Sequence, residues 1–448
     1  MELDLLAVGA GACGLAAAIA AHDEGLQTAV IEKFERPGGN TALSTGSVPG
    51  AGTRFQRAAG IADSPEKMLA DYRRTAGEHD VPEVMQRLIE ISAPLCEWLV
   101  DRVPSRLDII TDYAHVGHSL PRLHAPGSRR GSDLLADLLG AAQRRGIPVV
   151  TGNPVNELVV DARGVPAGVV AGGGRARETR LGAKKILLAC NGFAAAPDLV
   201  REYCPEIAGA QYFGARGSTG EALRWGRGLG AALANMGAYQ GYAAVSTPHG
   251  QLLSWTTIEK GGILVDDSGT RFGNEARGYS GFAKDVLSRV QQGAKVYAVF
   301  DDRICRHAQR EEEFKELFDY GGIKPLAEGS VFQRAIDVYN LAARGVRPDA
   351  FGRDASAMAP LVPPYWIAQV LPGLFHTQGG LKTDPDARVL AIDGRPIPNL
   401  YAGGGAAAGI SGRSGALGYL SGNGLLSALG LGWLAARAAA DEIRRGAF

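Results

Sequence analysis

Short apolar runs and helical periodicities alternate from the first residues of the chain. Leu3-Asp4-Leu5-Leu6-Ala7-Val8 has the pattern of a buried strand, and Leu15 to His22 that of a helix. Thr28-Ala29-Val30-Ile31 is a second strand, ending on Glu32. From Glu66 to Arg102 apolar residues recur at helical spacing, as at Leu69 and Tyr72 and again at Met85, Leu88, Ile89 and Leu95. Ser64-Pro65-Glu66-Lys67 makes a helix start there, and Asp133 to Arg145 predicts a further helix. Val155 to Val160 and Ala167 to Ala171 alternate like paired strands, and Lys185 to Ala189 is a buried strand ahead of Asn191-Gly192. Gly262 to Asp266 and Lys295 to Phe300 also read as strands. Asp266-Asp267-Ser268-Gly269-Thr270, between Val265 and Arg271, predicts a hairpin-type turn. An irregular connection over Pro348 to Pro364 precedes a strand at Leu400-Tyr401-Ala402 and a last helix from Gly424 to Arg445. The chain shows no internal repeat and no low-complexity tail.

The break between the first strand and the first helix carries chemistry. It reads Gly9-Ala10-Gly11-Ala12-Cys13-Gly14, so the order is strand, GxGxxG, helix, strand, acid. Gly9 allows a tight turn, Gly11 lets a pyrophosphate approach the backbone, and Gly14 lets helix and strand pack closely. The helix N-terminus favours phosphate, and Glu32 is placed for the adenosine ribose hydroxyls. A dinucleotide, FAD, is the expected ligand.

Composition narrows the class. A length of 448 residues exceeds one ordinary core and predicts two domains. Lys+Arg and Asp+Glu are both 47, which favours neither nucleic acid nor an anionic membrane as partner. No basic-then-apolar leader precedes the first strand, and Cys13, Cys96, Cys190, Cys204 and Cys305 are scattered without metal-ligand spacing. The expectation is a cytoplasmic protein with reduced thiols, no metal site, and no iron–sulfur or haem attachment. Gly415 to Ala436 is uncharged and long enough to span a bilayer. Its glycines and the Ser-Gly-Asn-Gly break instead predict a buried turn feeding the last helix. A pyridine-nucleotide disulfide reductase is disfavoured, since the chain has neither a CxxxxC pair nor a second GxGxxG.

At Pro37-Gly38-Gly39-Asn40-Thr41-Ala42-Leu43-Ser44-Thr45-Gly46 the sequence resembles the fumarate reductase/succinate dehydrogenase flavoprotein family. Four later stretches agree in order: Gly269 to Glu275, Phe375 to Leu381, Asn399 to Gly405, and Gly418 to Gly424. The resemblance implies an α/β fold: a discontinuous Rossmann-like FAD-binding domain, 1–237 and 373–448, with an inserted α+β capping domain, 238–372. Substrate is then expected between cap and flavin. It also implies cofactor contacts at Gly9, Gly11, Gly14, Glu32, Gly39, Asn40, Thr41, Ser44, Thr45, Gly46, Asn191, Gly404, Asn423, Gly424 and Leu425. Asn40 to Thr45 offer donors to the ribityl chain or flavin N5. The helix opening at Asn423-Gly424 favours negative charge at the N1/O2 edge of reduced flavin. Some relatives link FAD through a histidine after the GGN segment. Residues 40–50 contain none, so the FAD is expected to be non-covalent.

The departures from the family pattern shift the expected substrate. In the dicarboxylate enzymes an arginine that protonates substrate stands four after the NE glutamate; here that residue is Tyr279. A second arginine, four before the Asn of the last motif, clamps a carboxylate; here it is Tyr419. A histidine two after a Gln is replaced by Tyr242, following Gln240, and an arginine relay member corresponds to Lys260. His376 alone is retained. Losing both arginines removes the forks that recognise planar carboxylates. The replacements resemble the 3-ketosteroid dehydrogenase branch, in which a tyrosine four after the NE glutamate is the base and a Gly-Tyr-x-Ser-Gly segment holds the ketone oxygen. That implies Cα–Cβ dehydrogenation beside a ketone, or the reverse alkene reduction, with Tyr279 moving the α-proton and Tyr419 and Ser421 polarising the carbonyl. The expected partners are a small-molecule ketone or enone and an unidentified electron acceptor. Tyr242, Lys260 and His376 are candidates for favouring a Tyr279 phenolate. The alternative is an ene-reductase or fumarate-reductase-like enzyme acting on an unsaturated carboxylate; a non-catalytic flavin-binding module is the third class. Arg413 reads equally as a substrate-carboxylate ligand or a surface residue. Arg122 and His124 are placed on a loop near the flavin, with a structural role favoured for the histidine, and Trp255 and Tyr113 are read as core before pocket wall.

Overall fold

Leu3–Val8 forms an inner strand, with Leu5 to Val8 all buried, so neither face carries a side chain that needs water. It pairs in parallel with Thr28–Ile31 on one side, Leu5 opposite Thr28, and with Ala176–Leu188 on the other, Leu5 opposite Lys185. In this computed structural model the described residues are 3–111, 114–173, 176–310, 317, 320 and 322–446. The chain divides into two compact units. The first comprises Met1–Cys204, Gly214–Tyr239 and His376–Phe448, and the second Pro205–Phe213 and Gln240–Phe375.

The main sheet of the first unit runs Arg388–Leu390, Pro396–Ala402, Ala176–Leu188, Leu3–Val8, Thr28–Ile31, Val149–Val150. Val155–Val160 and Pro166–Gly173 extend it as an antiparallel meander from Ala176–Leu188. The helix Ala12–Asp23 is buried from Ala12 to Ala21. Its alanines allow a close crossing with Asn423–Arg444, where a Cβ on Gly432 would collide with the carbonyl oxygen of Cys13. The apolar run from Gly415 to Ala436 is therefore an irregular turn up to Gly422 that feeds this largely buried helix. Among the described residues no helix is long and apolar enough to cross a membrane. Helices Pro65–Ala76, Pro82–Glu90 and Ser92–Asp101 fill the periodic stretch, and Ser64 caps the first by accepting the Lys67 N–H.

A three-stranded sheet of Val48–Pro49, Leu107–Ile109 and Leu123–Pro126 has no counterpart in the sequence reading. It corrects the loop expected at Pro121 to His124. Leu123 and His124 stand in a strand, Arg122 directly precedes it, and the Arg122 and His124 side chains are fully buried.

The second unit has its own core, including Val265, Phe282, Val299, Phe300, Ile336 and Val370. Its sheet pairs Ile263–Asp266 with Val296–Asp301, and Val296–Asp301 with Tyr365–Thr377, all antiparallel, with Gly237–Ser246 beyond. Asp266 closes the turn it begins: its N–H donates to the Thr270 carbonyl, and its carboxylate accepts from the Ser268 and Thr270 amides. Arg271 leaves that turn into a buried ionic cluster with Glu275 and Asp349, and Arg353 joins it 3.6 Å from Glu275.

Candidate active site

The glycine turn of the first unit is shaped by what a side chain would hit. Gly9 has φ +112°, and a Cβ there would strike the Ala189 carbonyl; one on Gly14 would strike the carbonyl of Gly9. Gly11 caps the helix in extended conformation without a side-chain bond. Thr41 Oγ1 accepts the Ala12 N–H at 3.0 Å, tying the GGN loop to the helix start. Glu32 lies against the turn, accepting the Ala10 N–H at 2.9 Å and the Phe34 N–H at 3.0 Å.

Several polar residues expected to face a cofactor also hold the loop itself. Asn40 Oδ1 accepts the Ala215 N–H at 2.7 Å. The Ser44 hydroxyl donates to the Thr41 carbonyl at 2.8 Å and accepts the Gly46 N–H at 3.1 Å, and Thr45 meets Ser47 at 2.9 Å. Asn191 adopts φ 72° and its Oδ1 accepts the Gly192 N–H, while Gly39, Gly46 and Gly404 also have positive φ. At the start of the last helix, Gly422 (φ +84°) provides no side-chain cap, and Leu425 is buried. Asn423 donates Nδ2–H to Ser411 Oγ at 2.8 Å, but its buried Oδ1 has no partner among the described residues. An acceptor left without a donor is costly unless a ligand supplies one. A glycine cradle, an uncapped helix start and a waiting acceptor fit a flavin dinucleotide, whose ring carries an N–H edge.

Tyr419 and Ser421 are both buried in the first unit, and the His376 ring meets Tyr419 edge-on at 6.0 Å. Ser421 is held at both backbone groups: its N–H donates to Val116 O at 3.0 Å, and its carbonyl stands 2.9 Å from His118 Nε2. Burial pushes the His376 imidazole down to about 4, so it is neutral at pH 7 and contributes hydrogen bonds rather than charge. Its Nδ1 faces Gln378 Nε2 at 3.1 Å, and its Nε2 faces Gly424.

Tyr279 belongs to the second unit, in the short helix Gly278–Gly281. Asn274 and Glu275 place that helix. Asn274 caps the preceding turn through the Ala276 N–H, and Glu275 is gripped by Arg271 at 2.7 and 3.1 Å and by the Leu264 N–H. The Tyr279 ring stacks on Tyr242 at 5.0 Å and meets Trp255 edge-on at 6.5 Å, and Tyr242 stacks in turn on Phe375 at 5.3 Å. The Tyr242 hydroxyl donates to the Leu253 carbonyl at 3.0 Å, which commits its proton and makes its ring a platform. Lys260 does not join this stack. It is exposed after the helix Thr256–Glu259, in a surface depression shared with Asp301, Asp302 and Arg303, which corrects its expected place beside Tyr279.

The arginines nearest the two tyrosines in sequence are exposed and already paired. Arg277 meets Asp285 at 3.2 Å, and Arg413 meets Asp80 at 2.8 Å and Glu78 at 3.5 Å. Arg413 is thus a surface residue. Arg122 makes a fork to Asp63 (2.7 and 2.9 Å) and a further bond to Asp71, and His124 Nε2 stands 2.9 Å from Thr53 Oγ1. Both are structural. Trp255 sits in the second core, and Tyr113 lies outside the described residues. Sequence reasoning passed over His118, which no motif marks.

Comparisons with known proteins agree with this cofactor cradle. Residues 4–425 match the family model described as FAD binding domain. The NADH:fumarate oxidoreductase of Klebsiella pneumoniae (strain 342) is 31% identical over 452 residues, covering 98% of this chain and 48% of that protein. The chain thus spans about half the length of that relative. Among solved structures, the open conformation of a flavocytochrome c3 fumarate reductase aligns with TM-score 0.83 and 25% identity, covering 98% of this chain and 78% of that one. The 3-ketosteroid-Δ4-(5α)-dehydrogenase of Rhodococcus jostii RHA1, in complex with 4-androstene-3,17-dione, aligns with TM-score 0.76 and 25% identity, covering 98% and 97%. The fold is the α/β flavoprotein fold of these enzymes, and the chain belongs to the FAD-binding family of fumarate reductase flavoproteins, with FAD as its cofactor.

Proposed function

We propose that this chain is an FAD-dependent oxidoreductase that removes hydrogen across a Cα–Cβ bond beside a ketone, or adds it in reverse. The observation that carries this reading is tyrosine at both expected arginine positions, Tyr279 and Tyr419, with the neighbouring Arg277 and Arg413 tied to Asp285 and Asp80. A carboxylate substrate needs a charged fork to offset its desolvation, whereas a ketone needs only hydrogen-bond donors. Tyr419 and Ser421 donate to the ketone oxygen, which acidifies the α-hydrogen. Tyr279 takes that proton in dehydrogenation and returns it in reduction, its ring held by Tyr242 and Trp255. His376, neutral at pH 7, orients Tyr419 through ring contact. FAD, when bound, accepts or returns the β-hydrogen as hydride at N5. In this reading residues 1–237 and 373–448 bind FAD and 238–372 is the cap.

The second reading, reduction of an unsaturated carboxylate, is favoured by the 31% identity to an NADH:fumarate oxidoreductase. Anaerobic titration separates the two. A cyclic ketone or enone, with 4-androstene-3,17-dione as one probe, is expected to exchange electrons with the flavin and change its absorbance. Succinate and fumarate are expected to leave the spectrum unchanged, and efficient fumarate turnover would overturn the ketone assignment.

A further inference from the structure

Residues 115–118 form a tight turn: the His118 N–H donates to the His115 carbonyl at 2.9 Å, and Gly117 takes φ +87°. A Cβ on Gly117 would stand 2.5 Å from Leu420 Cγ, so the turn packs directly on the segment that carries Tyr419 and Ser421. It supplies both partners of the Ser421 peptide groups, the Val116 carbonyl for the N–H and the His118 imidazole for the carbonyl.

A carbonyl only accepts, so His118 must donate from Nε2. A neutral ring then leaves Nδ1 unprotonated, in keeping with its surroundings. Nδ1 is buried without a hydrogen-bond partner among the described residues, and the Tyr72 ring packs edge-on against the imidazole at 6.0 Å. Behind the turn, Ser119 donates both its N–H and its hydroxyl to Asp71, which Arg122 holds in place. Arg122 is fixed by its fork to Asp63. Asp63, Arg122, Asp71 and Ser119 thus form one chain of hydrogen bonds that leads to the residue next to the imidazole.

We infer that His118, as the neutral Nε2–H tautomer, is a positioning residue that fixes the Ser421 carbonyl and thereby aims the Tyr419 and Ser421 hydroxyls. The inference rests on the proposed ketone reading for its effect on turnover, but not for its effect on the loop. Misplacing a substrate-holding group by about 1 Å costs on the order of 10²-fold in rate.

Two variants in the FAD-loaded protein test it. In His118→Gln a side-chain amide N–H replaces the imidazole donor, whereas His118→Leu keeps apolar bulk and removes the donor. With 2-cyclohexen-1-one as electron acceptor and dithionite-reduced methyl viologen as electron donor, His118→Leu is expected to lose roughly 10- to 100-fold in kcat/KM. His118→Gln should stay within about threefold of the parent, both with parental FAD absorbance. Parental turnover in His118→Leu, or an equal loss in both variants, overturns the inference. If the parent itself fails to react with any ketone, the functional reading falls, and amide hydrogen exchange over residues 416–424 decides the positioning role separately. Faster exchange in His118→Leu but not in His118→Gln supports it; identical exchange in all three proteins overturns it. Should His118→Leu not fold, His118→Asn, whose shorter amide falls short of the carbonyl, takes its place in both measurements.

Discussion

Glu32 illustrates how a single acid serves the cofactor turn. Its carboxylate accepts the Ala10 and Phe34 amides, which holds it at the end of the second strand, where an adenosine ribose would meet it. Glu32→Ala is expected to weaken FAD binding by about 1–3 kcal/mol, the scale of a charged hydrogen bond. Titration of the apoprotein with FAD measures it, and unchanged affinity would remove Glu32 from the site. The FAD itself should appear in the supernatant after acid precipitation, because no histidine follows Asn40 in the GGN segment. Tyr279 carries the sharpest functional prediction. Tyr279→Phe keeps the ring stack on Tyr242, so folding and FAD content should hold, yet substrate-driven flavin reduction should fall by about 10²–10⁴. Dithionite should still reduce the flavin. Near-parental reduction by a ketone would make Tyr279 a packing residue. The base would then be sought at His376, whose neutral imidazole can accept a proton, or at Tyr242, whose own proton is committed to Leu253.

At the scale of elements, the close crossing of Ala12–Asp23 with Asn423–Arg444 sets two effects against each other. Gly432→Ala gains about 1 kcal/mol of helix propensity. It also drives a Cβ into the Cys13 carbonyl, a backbone atom that cannot step aside, and such overpacking costs about 1–3 kcal/mol. The collision wins, so the variant should melt lower than the parent, with Gly14→Ala behaving alike; a raised Tm would show that the helices separate freely. Elements of this kind were legible because four or more apolar residues, or several helical turns, leave a period. The strands Val48–Pro49 and Leu123–Pro126 were not: the first has only two residues, and the second, Leu-His-Ala-Pro, breaks its apolar run with a histidine and ends on proline. The Arg122 ion pairs reach Asp71 and Asp63 across 51 and 59 residues, a separation no local pattern encodes. The same limit hid His118, whose meaning lies in Ser421, 303 residues away.

For the molecule as a whole, buried histidines set how stability answers to acid. Burial pushes His118, His124 and His376 down to about 4, and His115 to about 3, against about 6.5 for the free side chain. Between those values the unfolded chain takes up protons that the folded one refuses, so stability must fall as pH drops below about 6.5. At about 1.36 kcal/mol per pKa unit, one such histidine costs up to about 3 kcal/mol by pH 4. Asp71 works in the same direction but lower. The Arg122 and Ser119 bonds outweigh its burial and hold its carboxyl below the usual range, so its contribution is complete above about pH 4 and is lost on further acidification. Denaturant midpoints of the FAD-loaded protein should therefore drop between pH 7.5 and pH 5.0, a window that holds most of the histidine effect and ends above the range in which Asp71 acts. Replacing His124, whose Nε2 meets Thr53 in the three-stranded sheet, with Gln should lessen that drop while leaving the flavin spectrum unchanged. Equal midpoints at the two pH values would mean that these imidazoles protonate as readily in the folded protein as in the unfolded chain, which would overturn the prediction.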